Sequence, residues 1–180
     1  MKVNVIGTSG SGKSTFAKAL ACALDIPYVE MDHLHWKPNW TESSDDEFFS
    51  TLEQALCGDS WVLDGNYTRT TYIKWRRVDR VIWLDYSFAR TLYQACKRAL
   101  SRAITQRELW PGTGNKENFG RLFSKDSMIL WTFQHYSPNK EKFAELMRNT
   151  DYAEIEFIRL CSPQEASTFI KTVQQTSSNA

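Results

Sequence analysis

Apolar residues along this chain alternate between short unbroken runs and helical spacing, regularly enough for each run to be assigned to an element. Residues 2–6 form a short buried run, and 26–31, 61–63, 80–84 and 155–160 form four more, each of strand length. In 13–24 the apolar residues Phe16, Ala19, Leu20 and Ala23 recur at helical spacing. Further helices are predicted over 44–56, 88–104, 122–135, 138–148 and 163–173. Ser43 or Ser44 can cap the second of these helices, with Asp45, Asp46 and Glu47 well placed in its first turn. An aromatic loop holding Trp36, Pro38 and Trp40 precedes it, and 105–120 reads as a loop because it contains Pro111, Gly112, Gly114 and Gly120. Strands alternating with helices predict an α/β fold: a parallel sheet covered on both faces. The chain reads as one domain over 1–175, followed by a polar, frayed tail at 176–180.

The first strand runs into Gly7, Thr8, Ser9, Gly10, Ser11, Gly12, Lys13, Ser14 and Thr15, which satisfies GxxxxGK[ST]. Glycines in this pattern let successive backbone N–H groups point inward at phosphate oxygens. The following helix adds the positive end of its dipole, the lysine reaches the β- and γ-phosphates, and the Ser14 hydroxyl can meet Mg²⁺. Chance would produce such a match in a chain this long on the order of one time in a hundred. Here it also lies between a strand and a helix, as the motif requires. ATP with Mg²⁺ is the expected ligand.

Charge is polarised along the chain. From Asp25 to Asp64 ten acids stand against Lys37 alone, and from Arg90 to Lys125 eight bases stand against Glu108 and Glu117. The overall net charge of +1 gives no argument for nucleic acid or membrane as a partner. Cys22, Cys57, Cys96 and Cys161 are scattered without metal-ligand spacing, as free thiols in a reducing cytoplasm would be. Charged residues interrupt every apolar run well before the roughly 18 residues that span a bilayer.

Three further segments carry a resemblance: Asp32 to Trp36 (Asp-His-Leu-His-Trp), Leu63 to Tyr67 (Leu-Asp-Gly-Asn-Tyr) and Arg107 to Gly112 (Arg-Glu-Leu-Trp-Pro-Gly). With the glycine loop at the start, the chain resembles the adenylate-kinase and shikimate-kinase group of small P-loop kinases. It is most similar to the adenylate-kinase-related "DNA topology modulation protein" family. The resemblance implies a five-stranded parallel sheet of order 2-3-1-4-5, phosphoryl transfer, and a lid at about 105–120.

On this reading Asp64, at the carboxyl end of its strand, holds Mg²⁺ with Ser14, or else only forms an Asp-Gly turn. Asp32 serves an acceptor hydroxyl as base or orienter. His33 and His35 flank it as pocket lining, as packing or, least expected, as metal ligands. Trp36, Tyr67 and Arg69 are the candidate acceptor contacts. Arg98 and Arg102, four apart on one helix, close on the transferring phosphate, with Arg107, Lys116 and Arg121 as further lid candidates. The helix at 44–56 contains no base, which argues against a monophosphate acceptor. The leading expectation is an ATP-dependent kinase acting on a small molecule, such as a nucleoside, nucleotide or hydroxylated metabolite. The alternative is a regulatory P-loop ATPase, a nucleotide switch acting on a partner or on DNA topology.

Overall fold

A computed structural model describes residues 1–117 and 128–178. The elements in chain order are β1 (Lys2–Gly7), α1 (Lys13–Leu24), β2 (Tyr28–Glu30), α2 (Met31–His35), β3 (Trp36–Lys37), β4 (Thr41–Glu42), α3 (Asp45–Ala55), β5 (Trp61–Asp64), α4 (Thr71–Lys74), β6 (Arg80–Leu84), α5 (Phe88–Thr105), α6 (Met128–Leu146), β7 (Glu156–Leu160) and α7 (Pro163–Ser178). Five strands form one parallel sheet in the order β2-β5-β1-β6-β7, and β3 pairs with β4 in a separate antiparallel hairpin. With the hairpin set aside, the order is the expected 2-3-1-4-5.

Period-2 alternation along each strand divides the core between the two sheet faces. Val3, Val5, Val62, Ile82, Leu84 and Leu160 pack on one side with Phe16, Ala17 and Leu20 of α1 and Ala166 of α7. On the other side Ile6, Leu63, Val81 and Trp83 pack with Met31, Phe48 and Leu52, Trp75, and Phe143 of α6. Asn4 is the polar exception in the central strand. Its amide nitrogen donates to the Leu63 and Gly65 carbonyls at 3.1 and 3.2 Å, and its oxygen accepts from the Trp75 indole at 2.9 Å. These bonds fix the chain as it leaves β5.

Several elements depart from the sequence reading. Residues 31–35, expected as strand end and loop, form the short helix α2, and the aromatic loop contains the β3–β4 hairpin. Helix α6 runs through Pro138, although the sequence divides it into two helices there. Proline removes one backbone donor and crowds the preceding turn, yet both halves of α6 are anchored: Tyr136 donates to the Tyr86 carbonyl at 2.8 Å and Phe143 is buried in the core. The start expected for this helix, 122–127, lies outside the described residues. Helix α7 continues to Ser178, where the sequence suggests a frayed tail. Val173 packs against the core there, and the Thr172 and Thr176 hydroxyls donate to carbonyls four residues back. No helix among the described residues is long and apolar enough to cross a membrane.

Candidate active site

The glycine loop follows the central strand, and its shape depends on close approach by α5. Gly10 has φ +86°, and a Cβ there would lie 2.8 Å from both the Ala95 Cβ and the Thr91 carbonyl. Helix α5 makes room with a buried stripe of small residues, Thr91, Ala95, Ala99 and Ala103, spaced four apart. Three residues further along each turn come Gln94, Arg98 and Arg102. Arg98 donates to the Ser9 hydroxyl at 3.0 Å, and Arg102 lies 3.1 Å from the Glu117 carboxylate. Thr132 of α6 donates to the Ser9 carbonyl at 3.2 Å, so two helices meet the loop at one residue.

Gly12, at φ +89°, caps the start of α1, and Lys13 opens the helix with its ammonium donating to the Thr8 carbonyl at 3.3 Å. Burial lowers the Lys13 pKa. The Asp64 and Asp32 carboxylates oppose that effect, and the Arg98 charge reinforces it. These four side chains therefore share one electrostatic neighbourhood.

Asp64 is only 5% exposed. Burial raises its pKa, while the Lys13 charge and the Ser14 hydroxyl pull it back. One oxygen, Oδ2, accepts from the Tyr28 hydroxyl at 3.1 Å, and the other, Oδ1, is buried without a hydrogen-bond partner among the described residues. Ser11 Oγ in the loop and Gln94 Oε1 beside it are orphaned in the same way. Buried polar atoms without partners are uncommon and call for an explanation; three lie around this loop. A single carboxylate and a hydroxyl suit Mg²⁺, which keeps most of its waters and takes its remaining ligands from nucleotide phosphates.

Asp32, exposed on α2, accepts from the Tyr67 hydroxyl at 2.9 Å. Burial, together with Asp32, raises the Tyr67 pKa, so its phenol stays a donor. The Tyr67 ring packs against His35 and Phe48. His35 is buried and His33 exposed on the short α2, so they do not share a face as an extended segment would place them. Arg69 pairs with Asp45 at 3.0 Å, its guanidinium about equally near the Phe48 and Tyr67 rings. It ties α3 to the loop after β5.

Trp36 belongs to a three-tryptophan cluster with Trp40 of the hairpin and Trp110. Trp110 comes from 106–117, the described part of the expected lid. There Glu108 bridges to Lys116, and the Leu109 amide donates to the Asn115 carbonyl. The segment sits against the hairpin. The Trp110 indole donates to Glu30 at 3.2 Å, and Asn115, 2% exposed, accepts from the Trp40 amide at 2.9 Å and donates to the Lys37 carbonyl at 2.8 Å. Asn115 thereby holds Trp40 at φ 58°, a backbone conformation that bulky residues rarely adopt. Arg107 and Lys116 are exposed, and Arg121 lies outside the described residues.

Sequence reasoning missed Asn66, Tyr28, Trp110 and Thr132. Asn66 had one legible signal: it directly follows the Asp-Gly pair, and its amide offers both a donor and an acceptor. It uses both on Gly7.

No family model matches the chain, and no curated protein matches it. Solved structures do. Over 99% of this chain and 93% of the other, the fold is similar to a shikimate kinase from Acinetobacter baumannii in complex with shikimate, at 14% identity and TM-score 0.57. A deoxyadenosine kinase from M. mycoides aligns over 100% of both chains at 14% identity and TM-score 0.54. A gluconokinase from Sinorhizobium meliloti 1021 aligns over 97% of this chain and 94% of the other at 16% identity and TM-score 0.51. The fold is therefore that of small P-loop kinases. The "DNA topology modulation" likeness rests on the sequence motifs alone.

Proposed function

We propose that the chain is an ATP-dependent kinase that transfers the γ-phosphoryl group to a hydroxyl of a small molecule. The observation that carries this reading is the meeting of Lys13, Asp64, Asp32 and Arg98 at a glycine loop surrounded by orphaned polar atoms. The loop amides and Lys13 hold the β- and γ-phosphates of ATP. Ser14 and Asp64 hold Mg²⁺, which when bound neutralises charge on the phosphates. Asp32, oriented by the Tyr67 hydroxyl, takes the proton of the acceptor hydroxyl. The acceptor oxygen bonds to the γ-phosphorus as the bond to the β–γ bridging oxygen breaks. Arg98 and Arg102 stabilise the charge on the transferring group, and an arginine in that role contributes roughly 10³–10⁵ in rate.

The acceptor is best read as a molecule without a phosphate of its own. Among the described residues near Asp32, Lys37 pairs with Glu47 and Arg69 with Asp45, so both bases already face a carboxylate. Burial keeps His35 below its ordinary pKa and therefore neutral. Trp36 and Tyr67, both partly buried aromatic rings, suit an acceptor with a ring or other apolar body, such as a nucleoside or a hydroxylated ring compound. The expected lid, of which 118–120 lie outside the described residues, completes this site through Trp110.

The test is a thermal-shift panel of nucleosides, nucleoside monophosphates, shikimate, gluconate and other hydroxylated metabolites, with and without Mg-ATP. Mass-spectrometric detection of the phosphorylated product follows. The kinase reading expects slow hydrolysis of ATP alone and faster consumption with one acceptor, which gains the phosphate. Brisk hydrolysis with no phosphorylated product from any member would favour the regulatory ATPase, acting on a partner or on DNA topology.

A further inference from the structure

Tyr28 lies on the edge strand β2, opposite Val62 in the register that sets Glu30 opposite Asp64. Residues two apart on a strand share a face, and laterally paired residues of neighbouring strands point the same way. Tyr28, Glu30 and Asp64 therefore project together towards α1, and Lys18 of α1 meets the first two. Its ammonium is 5.1 Å from the Tyr28 ring centre and 3.5 Å from Glu30. Within this group the Tyr28 hydroxyl donates to Asp64 Oδ2 at 3.1 Å, and Oδ1 has no hydrogen-bond partner among the described residues.

A carboxylate can rotate about its terminal bond, and that torsion is broad and poorly defined on its own. A hydrogen bond to one oxygen removes that freedom and leaves the other presented in a fixed direction. We propose that Tyr28 is the positioning residue of the metal site: it locks Asp64 through Oδ2 so that Oδ1 is held out for the magnesium that accompanies ATP. This rests on the reading of Asp64 as a metal-holding residue. A phenylalanine would fill the same space and keep the Lys18 contact, so the hydroxyl is the part assigned a role. Partners of this kind, one bond behind a metal ligand, typically account for a 10–100-fold change in metal affinity.

The experiment uses Mn²⁺ as the probe, titrated into the full chain saturated with ATP and followed by electron paramagnetic resonance. ATP affinity without metal is measured separately in EDTA by calorimetry. Tyr28→Phe is expected to weaken Mn²⁺ binding on the order of tenfold while leaving metal-free ATP affinity near wild type. Asp64→Asn should weaken Mn²⁺ at least as much. The double variant should bind Mn²⁺ no worse than Asp64→Asn alone, because the hydroxyl acts only through that carboxylate. Normal Mn²⁺ affinity in Tyr28→Phe beside a loss in Asp64→Asn would overturn the role of Tyr28 and leave the kinase reading intact. Normal affinity in both would remove Asp64 from the metal site as well. An equal loss of metal-free ATP binding in Tyr28→Phe, or additive losses in the double variant, would show that Tyr28 supports the pocket generally, which also overturns the proposal.

Discussion

Asn66 and Gly7 exchange two hydrogen bonds: the Asn66 oxygen accepts from the Gly7 amide at 3.1 Å, and its amide nitrogen donates to the Gly7 carbonyl at 2.6 Å. The side chain thus continues the β1–β5 ladder beyond its last backbone pair, Val5 with Asp64. It ties the segment that carries Tyr67 to the first glycine of the phosphate-type loop. Asn66→Ala would leave both backbone groups of a buried glycine unpaired, and each such group costs about 1–3 kcal/mol. Stability is expected to fall by at least that much, and ATP affinity on the order of tenfold. Asn66→Asp should do no better, because it sets a second acceptor against the Gly7 carbonyl. Denaturant melts and calorimetry decide; wild-type values in both would deny the clamp any role.

Lys13→Ala should abolish most Mg-ATP binding while the fold survives, because its hydrogen bond is to the Thr8 carbonyl and not to the core. Equal ATP affinity in wild type and variant would contradict the assignment of the loop.

For Arg98 and Arg102 the expected signature is kinetic. Each alanine variant should lower the transfer rate far more than ATP affinity, because the charge is used chiefly in the transition state. Arg98→Ala also loses the Ser9 contact, so its ATP affinity should drop somewhat further than that of Arg102→Ala. Steady-state kinetics with the acceptor selected by the thermal-shift panel separate the two effects. Equal losses in affinity and rate would make these arginines binding residues only.

Lys74 gives a pH-dependent contribution to stability. It is 2% exposed, with its ammonium donating to the Tyr67 carbonyl at 3.3 Å. Burial, with Lys142 nearby, pushes its pKa down from 10.5 to about 7. Between those values the unfolded chain binds the proton that the folded chain has released, so stability rises with pH across this window. Below it the cost of the buried charge is fully present. Lys74→Met should flatten the curve relative to wild type, by a difference approaching about 1.4 kcal/mol per pH unit. Chemical denaturation from pH 6 to 10 measures it, and parallel curves would refute the assignment.

The Asn115 bridge can be tested without any ligand. In wild type the Trp40 amide should be protected from hydrogen exchange by the Asn115 side chain, and Asn115→Ala should release it. Tryptophan fluorescence should shift to the red in the same variant as the Trp36, Trp40 and Trp110 cluster loosens. Unchanged exchange at Trp40 would mean that the 106–117 segment does not hold the hairpin.

The sheet was legible because its strands are apolar runs bounded by polar residues, and the glycine loop because its spacing is dictated by phosphate geometry. Arg80–Leu84 matches its expected bounds, and Ser44 caps α3 with its hydroxyl accepting from the Glu47 amide. The short elements were not legible. Helix α2, the β3–β4 hairpin and α4 hold two to five residues each, too few for any period to emerge. Of the residues that the fold brings to the glycine loop, the charged ones were legible and their supports were not. Asn66, Tyr28 and Thr132 act through contacts with residues 36 to 123 positions away, and of the three only Asn66, directly after the Asp-Gly pair, carries a local signal.

The central position of β1 also has a consequence for the order of assembly. This strand is synthesised before both of its neighbours, which lie at 61–64 and 80–84. Until those residues emerge, Val3, Val5 and Ile6 have no sheet to join, and the closure cost of long loops must be met before any pairing rewards it. The glycine loop waits longer still. Gly7 needs Asn66, the space beside Gly10 is shaped by Thr91 and Ala95, and Ser9 receives its last partner from Thr132. A nascent chain that ends before α6 therefore carries the whole motif without its full set of supports. The loop is synthesised before every one of these supports and completed only by the last of them.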